Sequence, residues 1–278
     1  MTDNAGFSDW LGRELTLSER IAPEPSLRLA AALDQHDTAF PAGAALPALR
    51  HWLHFVQAAP QSELGPDGHP KKGGFLPPVP LPRRMWAAGN LRFHAPLRVG
   101  DEVHRTSRID SITPRKGRSG ELVFVTLQHS LHRGTELLIE EQQDLVYREQ
   151  GAPTGEGKSA EGHTDWSREI VPDNALLFRY SALTFNTHRI HYDRDYARDA
   201  EGYPELVVQG PLTATLLLDA LGLEEPGAAF AAFEFRGVAP LYAHAPLTLQ
   251  GRREGSRILL RALNMAGNVA MEASAILG

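Results

Sequence analysis

The chain contains no cysteine among its 278 residues. This absence excludes disulfide bonds, thiolate metal sites, iron–sulfur clusters and a cysteine nucleophile. Basic charge is not in excess either, because 28 Lys and Arg stand against 34 Asp and Glu and give a formal net charge of −6. We therefore expect no nucleic-acid partner.

Long apolar runs are also missing, and none approaches the roughly 20 residues that a membrane-spanning helix needs. The opening stretch, MTDNAGFSDW, has neither the basic nor the apolar region of a secretory signal. A cytoplasmic protein without a membrane partner is the expectation. The HExxH, GxSxG and dinucleotide-binding glycine signatures are absent as well.

What is present is the composition of a globular protein, with 42% hydrophobic and 22% charged residues. The length suggests about two domains of roughly 100–150 residues. Residues 151–165 are polar, rich in glycine and without periodicity, so we interpret them as a linker between domains at 1–150 and 166–278. Residues 61–82 are dense in Gly and Pro, which predicts a long loop that acts as a functional flap or a covering arm.

The second half predicts a buried helix surrounded by strands. Residues 175–185 are predicted to form a strand, and residues 209–222 a helix that is apolar on almost every side and so must be covered all round. Four further strands are predicted over 231–238, 245–250, 257–263 and 269–277. A curved antiparallel sheet around the helix would provide the cover.

An internal repeat extends this arrangement to the first half. The tetrapeptide His-Ala-Pro-Leu occurs at 94–97 and again at 244–247, each time before a turn and two alternating strands. We interpret this as a duplication. Two tandem copies of an antiparallel sheet wrapped around a helix make an α+β protein with a double hot-dog fold.

The densest chemistry lies within eight residues that contain Asn186, His188, Arg189, His191 and Asp193. An imidazole can take and return a proton near neutral pH, and an amide can orient a water or a carbonyl. The same residues also suit an exposed turn. Two imidazoles and a carboxylate would suffice in type for a metal site, but the spacing need not make them converge, and we expect no metal.

Two further features bear on ligand binding. Gly210 precedes Pro211 at the start of the buried helix, where a free amide and the helix dipole would stabilise a thioester oxygen that gains negative charge, or where the pair merely begins a helix. Basic pairs at 71–72 and 83–84 lie beside aromatic residues such as Trp86 and could contact coenzyme A phosphates or simply face solvent.

These motifs resemble the MaoC-like hydratase/dehydratase family. In that family's pattern an aromatic residue and small residues are followed by an Asp, four further residues, a His, one further residue and a second Asp. A Val-x-Gly stretch then follows the His after roughly 18–20 residues. The corresponding residues here are Tyr180, Thr184, Asn186, His191, Asp193 and the stretch Val208-Gln-Gly210. The segments LTFNTHRIHYD and EGYPELVVQGPL look most like the branch that contains mesaconyl-C4-CoA and itaconyl-CoA hydratases and type 2 hydroxyacyl-thioester dehydratases.

The resemblance implies a hydro-lyase that adds water reversibly to a short, branched dicarboxylic enoyl-CoA. In this reading His191 is the acid/base with Asp193 beside it, Asn186 orients the water and the Gly210 amide binds the thioester oxygen. Arg189, Arg84 and Trp86 are expected to bind substrate. No cofactor is expected beyond the thioester substrate, and a homodimer is expected. The alternatives are a 3-hydroxyacyl-thioester dehydratase of fatty-acid synthesis and a non-catalytic acyl-CoA-binding module.

One departure from the family pattern is Asn186, which stands where the family has a catalytic Asp. An amide cannot act as a general base. The first half also lacks an Asn or Asp followed by a His at that spacing. We therefore predict that the helix of the first half is shortened or displaced, which would leave room for the acyl group or the pantetheine arm.

Overall fold

The computed structural model describes residues 6–36, 38–117, 120–151 and 157–278. Its centre is one antiparallel sheet of ten strands. The strands are β1 Glu14–Arg20, β2 Arg83–Phe93, β3 Glu102–Gly117, β4 Gly120–Arg133, β5 Glu136–Arg148, β6 Trp166–Ile170, β7 Phe230–Gly237, β8 Leu247–Glu254, β9 Arg257–Leu263 and β10 Val269–Leu277. The helices are α1 Glu24–Ala32, α2 Asn174–Leu183 and α3 Gly210–Glu224.

The strand order shows the duplication directly. Across the sheet it runs β1-β3-β4-β5-β2-β7-β10-β9-β8-β6, so the second half repeats the first in mirror order about the β2–β7 pair. The two His-Ala-Pro-Leu copies occupy matching places, one between β2 and β3 and one between β7 and β8. The predicted double hot-dog arrangement of two tandem sheet-and-helix units is therefore confirmed.

Helix α3 is the core of the second half. It begins at Gly210 with Pro211 in its first turn, as the sequence predicts, and its leucines Leu212 and Leu217 are fully buried. Burying each leucine stabilises the fold by about 1.5–3 kcal/mol. Because the helix packs on β8, β9 and β10, its N-terminus is held at a fixed place next to β2.

The first half has no counterpart to α3 among its described residues. Between α1 and β2 these residues form only two 3₁₀ turns, Arg50–Leu53 and Gln61–Glu63, and irregular chain. The prediction was a shortened or displaced helix, and the described residues of this segment form no such helix. Residues 61–82, which we call the arm, cross from the first half to the segment that follows α2, as the predicted loop or covering arm would.

One predicted element is wrong. Residues 175–185 were expected to form a strand, but they belong mainly to helix α2. The Asp173 side chain caps this helix by accepting a hydrogen bond from the Leu176 amide at 2.8 Å. Leu177, Tyr180 and Ser181 are its buried face, at the i, i+3, i+4 spacing of a helix. In the duplicated scheme α2 follows β6 as α1 follows β1.

The predicted linker lies partly outside the described residues, because 152–156 are not described. The division into domains at 1–150 and 166–278 stays a prediction. Of the helices formed by the described residues, none is long and apolar enough to cross a bilayer.

Candidate functional site

A cavity of about 850 Å³ lies where the two halves meet, between the sheet of the first half and the N-terminus of α3. It takes up the space that α3's missing counterpart leaves open. Residues from the arm, from β2 to β5 and from the segment after α2 share its wall. Among them are His69, Lys72, Arg84, Trp86, Arg105, Glu141, Asn186, His188, His191 and Gly210.

The segment that follows α2 brings two of the predicted catalytic residues, Asn186 and His191, into this cavity. The helix ends at Leu183, and Phe185 then adopts a left-handed conformation with φ 49° that turns the chain sharply. The Asn186 amide donates to the Ser181 carbonyl at 2.8 Å. A 3₁₀ turn at Arg189–His191 completes the bend. Asn186 and His191 therefore line one cavity although four residues separate them.

His191 has the protonation state that a base needs. Its Nδ1–H donates to the Val207 carbonyl at 2.7 Å, which leaves Nε2 as the nitrogen with a free lone pair. Burial lowers the pKa of His191 to about 4, against the opposing effect of that hydrogen bond. The ring is therefore neutral at pH 7 and can accept a proton at Nε2.

Asn186 is held as a hydrogen-bond donor toward the cavity, whereas His191 is held as an acceptor. Its Oδ1 accepts a hydrogen bond from the His188 amide at 3.1 Å. The Nδ2 group remains as a donor toward the cavity, which Asn186 lines. Asn186 can thus hold a water or a carbonyl oxygen, but it brings no charge to the site.

Gly210 is the first residue of α3, at the N-terminus of the helix, where backbone amides lack partners within the helix. The preceding residue, Gln209, is fixed by hydrogen bonds from its Nε2 to the Leu177 carbonyl and to the Ser181 hydroxyl, both 2.9 Å long. A Cβ at position 210 would meet nothing closer than the Trp86 carbonyl at 3.8 Å. An anionic oxygen can approach this amide with the helix dipole behind it.

Two of the predicted site residues are not brought to the cavity. Asp193 accepts hydrogen bonds from Arg189 at 2.7 and 3.0 Å and from the Tyr196 amide at 3.0 Å. Arg189 also donates to the Pro66 carbonyl at 3.0 Å. Neither is among the described residues that line the cavity. The expectation that Asp193 assists His191 and that Arg189 binds substrate is corrected, because the two neutralise each other and fasten the arm.

The other predicted substrate-binding residues do line the cavity. Trp86 packs edge-on against Trp52, with ring centroids 5.0 Å apart, and forms wall beside Gly210. Arg84 is half-buried. Its positive charge lowers the pKa values of His69, His188 and Asp67, although burial has a larger effect on each of them. Arg83, by contrast, is buried in an ion pair with Glu201 at 2.7 Å and has a structural role.

The sequence predicted the arm as a long loop, but it did not indicate that this loop carries His69 into the cavity. The arm places His69 in the cavity with its ring centroid 4.2 Å from that of His188, whose own ring lies 5.4 Å from that of His191. His69 Nδ1 lies 2.9 Å from an Asp67 carboxylate oxygen. The only sequence signal was an Asp-Gly-His triplet inside a Gly- and Pro-rich loop.

The arrangement also bears on metals. The predicted absence of a metal stays a prediction. Asp67, His69 and His188 each offer one ligand atom, and these atoms lie within 4.8 Å of one another, which is close enough to hold an ion. The three side chains that the sequence had suggested as ligands, those of His188, His191 and Asp193, do not form such a set, because Asp193 is paired with Arg189.

Comparison with known proteins agrees with this geometry. The family profile described as hydroxyacyl-thioester dehydratase type 2 matches residues 49–243. Mesaconyl-C(4)-CoA hydratase from Chloroflexus aurantiacus is 46% identical over 278 residues, which cover 99% of each chain. Mitochondrial hydroxyacyl-thioester dehydratase type 2 from Schizosaccharomyces pombe is 31% identical over 228 residues, which cover 72% of this chain and 75% of the relative.

A solved structure supports the fold alone. A Mycobacterium tuberculosis protein described as having a double hot-dog fold superposes with a TM-score of 0.59 at 12% identity, and the match covers 96% of each chain.

Proposed function

The chain belongs to the hydroxyacyl-thioester dehydratase type 2 family, and from this premise we propose that it is a hydro-lyase that adds water reversibly to a short, branched dicarboxylic enoyl-CoA. The observation that carries the proposal is that His191 Nε2 and the Gly210 amide face one cavity. The full-length likeness to a mesaconyl-C(4)-CoA hydratase supports the substrate class.

The proposed reaction uses these groups in order. The Gly210 amide holds the thioester oxygen, so that electrons from the double bond can move onto it as water attacks Cβ. His191 Nε2 takes a proton from that water and delivers it to Cα. The Asn186 amide orients the oxygen of the water or of the intermediate. The reaction consumes no other reagent, and we propose that it needs no cofactor.

Arg84 is our candidate partner for the free carboxylate of the substrate. It lies close enough to His69, His188 and Asp67 for its charge to act on them, so a carboxylate only a few atoms from the reacting carbons could reach it. Lys71 and Lys72 also line the cavity. Their ammonium groups donate to the Ser62 and Leu81 carbonyls, respectively, and the remaining N–H groups of each could contact the phosphates of coenzyme A.

Dehydration of a 3-hydroxyacyl thioester is the same chemistry in reverse and is the activity in the name of the yeast relative. It is the weaker candidate here, since that relative matches at lower identity over a shorter part of the chain. A non-catalytic acyl-CoA-binding module does not accord with membership in this enzyme family.

The test is hydration of itaconyl-CoA, mesaconyl-CoA and crotonyl-CoA by the wild type and by the His191→Ala and Arg84→Gln variants. We expect His191→Ala to abolish turnover of all substrates. Arg84→Gln should lower kcat/KM about 100-fold for the dicarboxylic substrates, a loss typical of a buried charge-assisted contact. It should leave crotonyl-CoA within threefold.

Each part of the proposal can fail separately. An equal loss with all three substrates in Arg84→Gln would assign Arg84 to coenzyme A instead of to the acyl carboxylate. Absence of C5 turnover with retained crotonyl-CoA turnover would reject the dicarboxylic substrate. A homodimer and a cytoplasmic location also remain proposals, to be measured by sedimentation velocity and by cell fractionation.

A further inference from the structure

The proposed site lacks one hydrogen-bond acceptor. A water that attacks Cβ must direct a lone pair at the carbon, and two acceptors for its hydrogens would fix that orientation. His191 Nε2 is one acceptor. A carboxylate at position 186 would supply the second, but Asn186 uses Oδ1 for the His188 amide and offers only N–H groups beside it.

The arm brings a hydrogen-bond acceptor to the wall of the same cavity. Asp67 accepts hydrogen bonds from the His69 ring at 2.9 Å and from the His69 backbone amide at 3.1 Å, which lower its pKa against the opposing effect of burial. His69 therefore donates Nδ1–H to Asp67 across 2.9 Å, which fixes the tautomer with a free lone pair on Nε2. Burial also lowers the pKa of His69 itself, so its ring is neutral and able to accept.

The arm is fastened directly to the segment that carries Asn186 and His191. The Thr187 hydroxyl donates to the Gly68 carbonyl, and the Arg189 amide donates to the Asp67 carbonyl at 2.9 Å. The His69 ring packs against His188, which lies between it and His191. These two hydrogen bonds hold Asp67 and Gly68 of the arm beside Thr187 and Arg189, which lie more than a hundred residues later in the sequence.

We propose that His69 is a second catalytic residue of the hydration, which accepts a hydrogen bond from the attacking water at Nε2, while Asp67 is the positioning residue that holds its tautomer. This inference rests on the proposed function. One water proton goes to His191 and then to Cα, where it forms a C–H bond with the electron pair of the former double bond. The other hydrogen, held by His69, stays on the oxygen and becomes part of the product hydroxyl.

His188 is less suited to this role. No described residue donates to or accepts from its ring nitrogens, so nothing fixes its tautomer. It serves instead as the spacer on which the His69 ring packs.

The experiment replaces His69 by Phe, which keeps an aromatic ring against His188 and removes both nitrogens. We expect kcat to fall about 100-fold with KM within threefold, because the residue orients the water and not the thioester. Asp67→Asn should lower kcat by about tenfold. The matched control is His163→Phe, since His163 pairs with Asp165 at the same spacing, at 3.0 Å, but is 76% exposed and outside the cavity.

A rescue variant separates this role from a merely structural one. Asn186→Asp would keep one oxygen on the His188 amide and offer the other as an acceptor. We expect the double variant His69→Phe/Asn186→Asp to recover at least tenfold in kcat over His69→Phe. Circular dichroism and thermal melting of each variant check that the fold is intact.

The outcomes distinguish the two proposals. If wild type hydrates a substrate and His69→Phe retains kcat within threefold, or changes only KM, the role of His69 is overturned and the proposed function stands. The same holds if only His188→Gln loses activity. If wild type hydrates crotonyl-CoA alone, the dicarboxylic substrate is rejected and His69 is tested on crotonyl-CoA. If none of the three thioesters is hydrated, both proposals fall.

Discussion

At the scale of single residues, the site depends on which nitrogen or oxygen of each side chain is already occupied. Val207 occupies Nδ1 of His191, and the His188 amide occupies Oδ1 of Asn186. Each backbone contact leaves one defined atom for chemistry. The same burial that keeps His191 neutral also makes its protonated form costly, so the His191 ring carries a stability penalty in acid.

This penalty predicts how stability depends on pH. The pKa of His191 is about 4 in the folded protein and near 6.5 when unfolded, so between these values the unfolded chain binds the extra proton. Stability should therefore fall as the pH drops from 6.5 toward 4. Urea denaturation gives the free energy of unfolding at pH 7.5 and at pH 5.0. When the pH is lowered from 7.5 to 5.0, the His191→Gln variant should lose about 2 kcal/mol less of this free energy than the wild type.

The control for this prediction is His163→Gln, which removes an exposed imidazole that does not line the cavity. Equal slopes in wild type and His191→Gln would contradict it.

Local spacing in the sequence predicted the residues whose positions depend on one segment. Asn186, His191 and Gly210 reach the cavity as the motif suggests, since a single bend and one helix start place them. Asp193 did not, because the Arg189 side chain four residues before it is a nearer partner. His69 could not be placed at all, since its position depends on a loop that docks from the other half of the chain.

At the scale of elements, the arm and α3 make opposite use of glycine and proline. Pro211 begins a rigid helix, whereas the arm uses these residues to follow a neighbouring surface without regular structure. Gly68 shows how close that approach is. Its φ is +87°, and a Cβ there would lie 1.9 Å from the Thr187 carbonyl oxygen. No other residue fits without moving the arm.

Gly68→Ala should therefore detach His69 from the site while leaving the sheet and α3 intact. We expect kcat to fall at least tenfold and the free energy of unfolding to fall by about 1–3 kcal/mol from backbone strain. The matched control is Gly74→Ala in the same arm, where a Cβ meets nothing within 4 Å. Steady-state kinetics and limited proteolysis of the arm measure both effects. Unchanged kcat in Gly68→Ala would show that the arm's contact with Thr187 is dispensable.

The strand predicted at 175–185 shows why element type was harder to infer than element position. The segment is apolar with few polar residues at regular intervals, so length and periodicity do not separate a strand from a buried helix. The deciding feature is Asp173, which caps the first turn. The duplicated topology gives the same answer, since α1 occupies the equivalent place after β1.

At the scale of the whole molecule, the two halves share one sheet and one core. Strands β2 and β7 pair from Ala88–Arg236 to Arg92–Ala232. Leu29, Leu49 and Leu91 of the first half belong to the same buried cluster as the leucines of α3. The halves are copies in topology, yet they are joined both by a strand ladder and by shared buried side chains.

Calorimetry should accordingly show a single unfolding transition whose calorimetric and van't Hoff enthalpies agree. A polar substitution at the shared core, such as Leu91→Asn, should lower the midpoint of the whole transition and not of one part of it. Two separable transitions in the wild type would indicate that the halves unfold independently.

The helix that only one copy retains has a consequence for evolution and for design. The core of the retained copy tolerates little change, because α3 is buried on almost every side and, on the proposed function, its N-terminus carries the amide that binds the thioester oxygen. The other copy has given up a helix, and on the proposed function an acyl group fits against the concave sheet in its place. Substitutions in β3, β4 and β5 can then change the range of substrates without altering the residues that carry out the reaction. Gene duplication here has separated the part that must stay constant from the part that is free to vary.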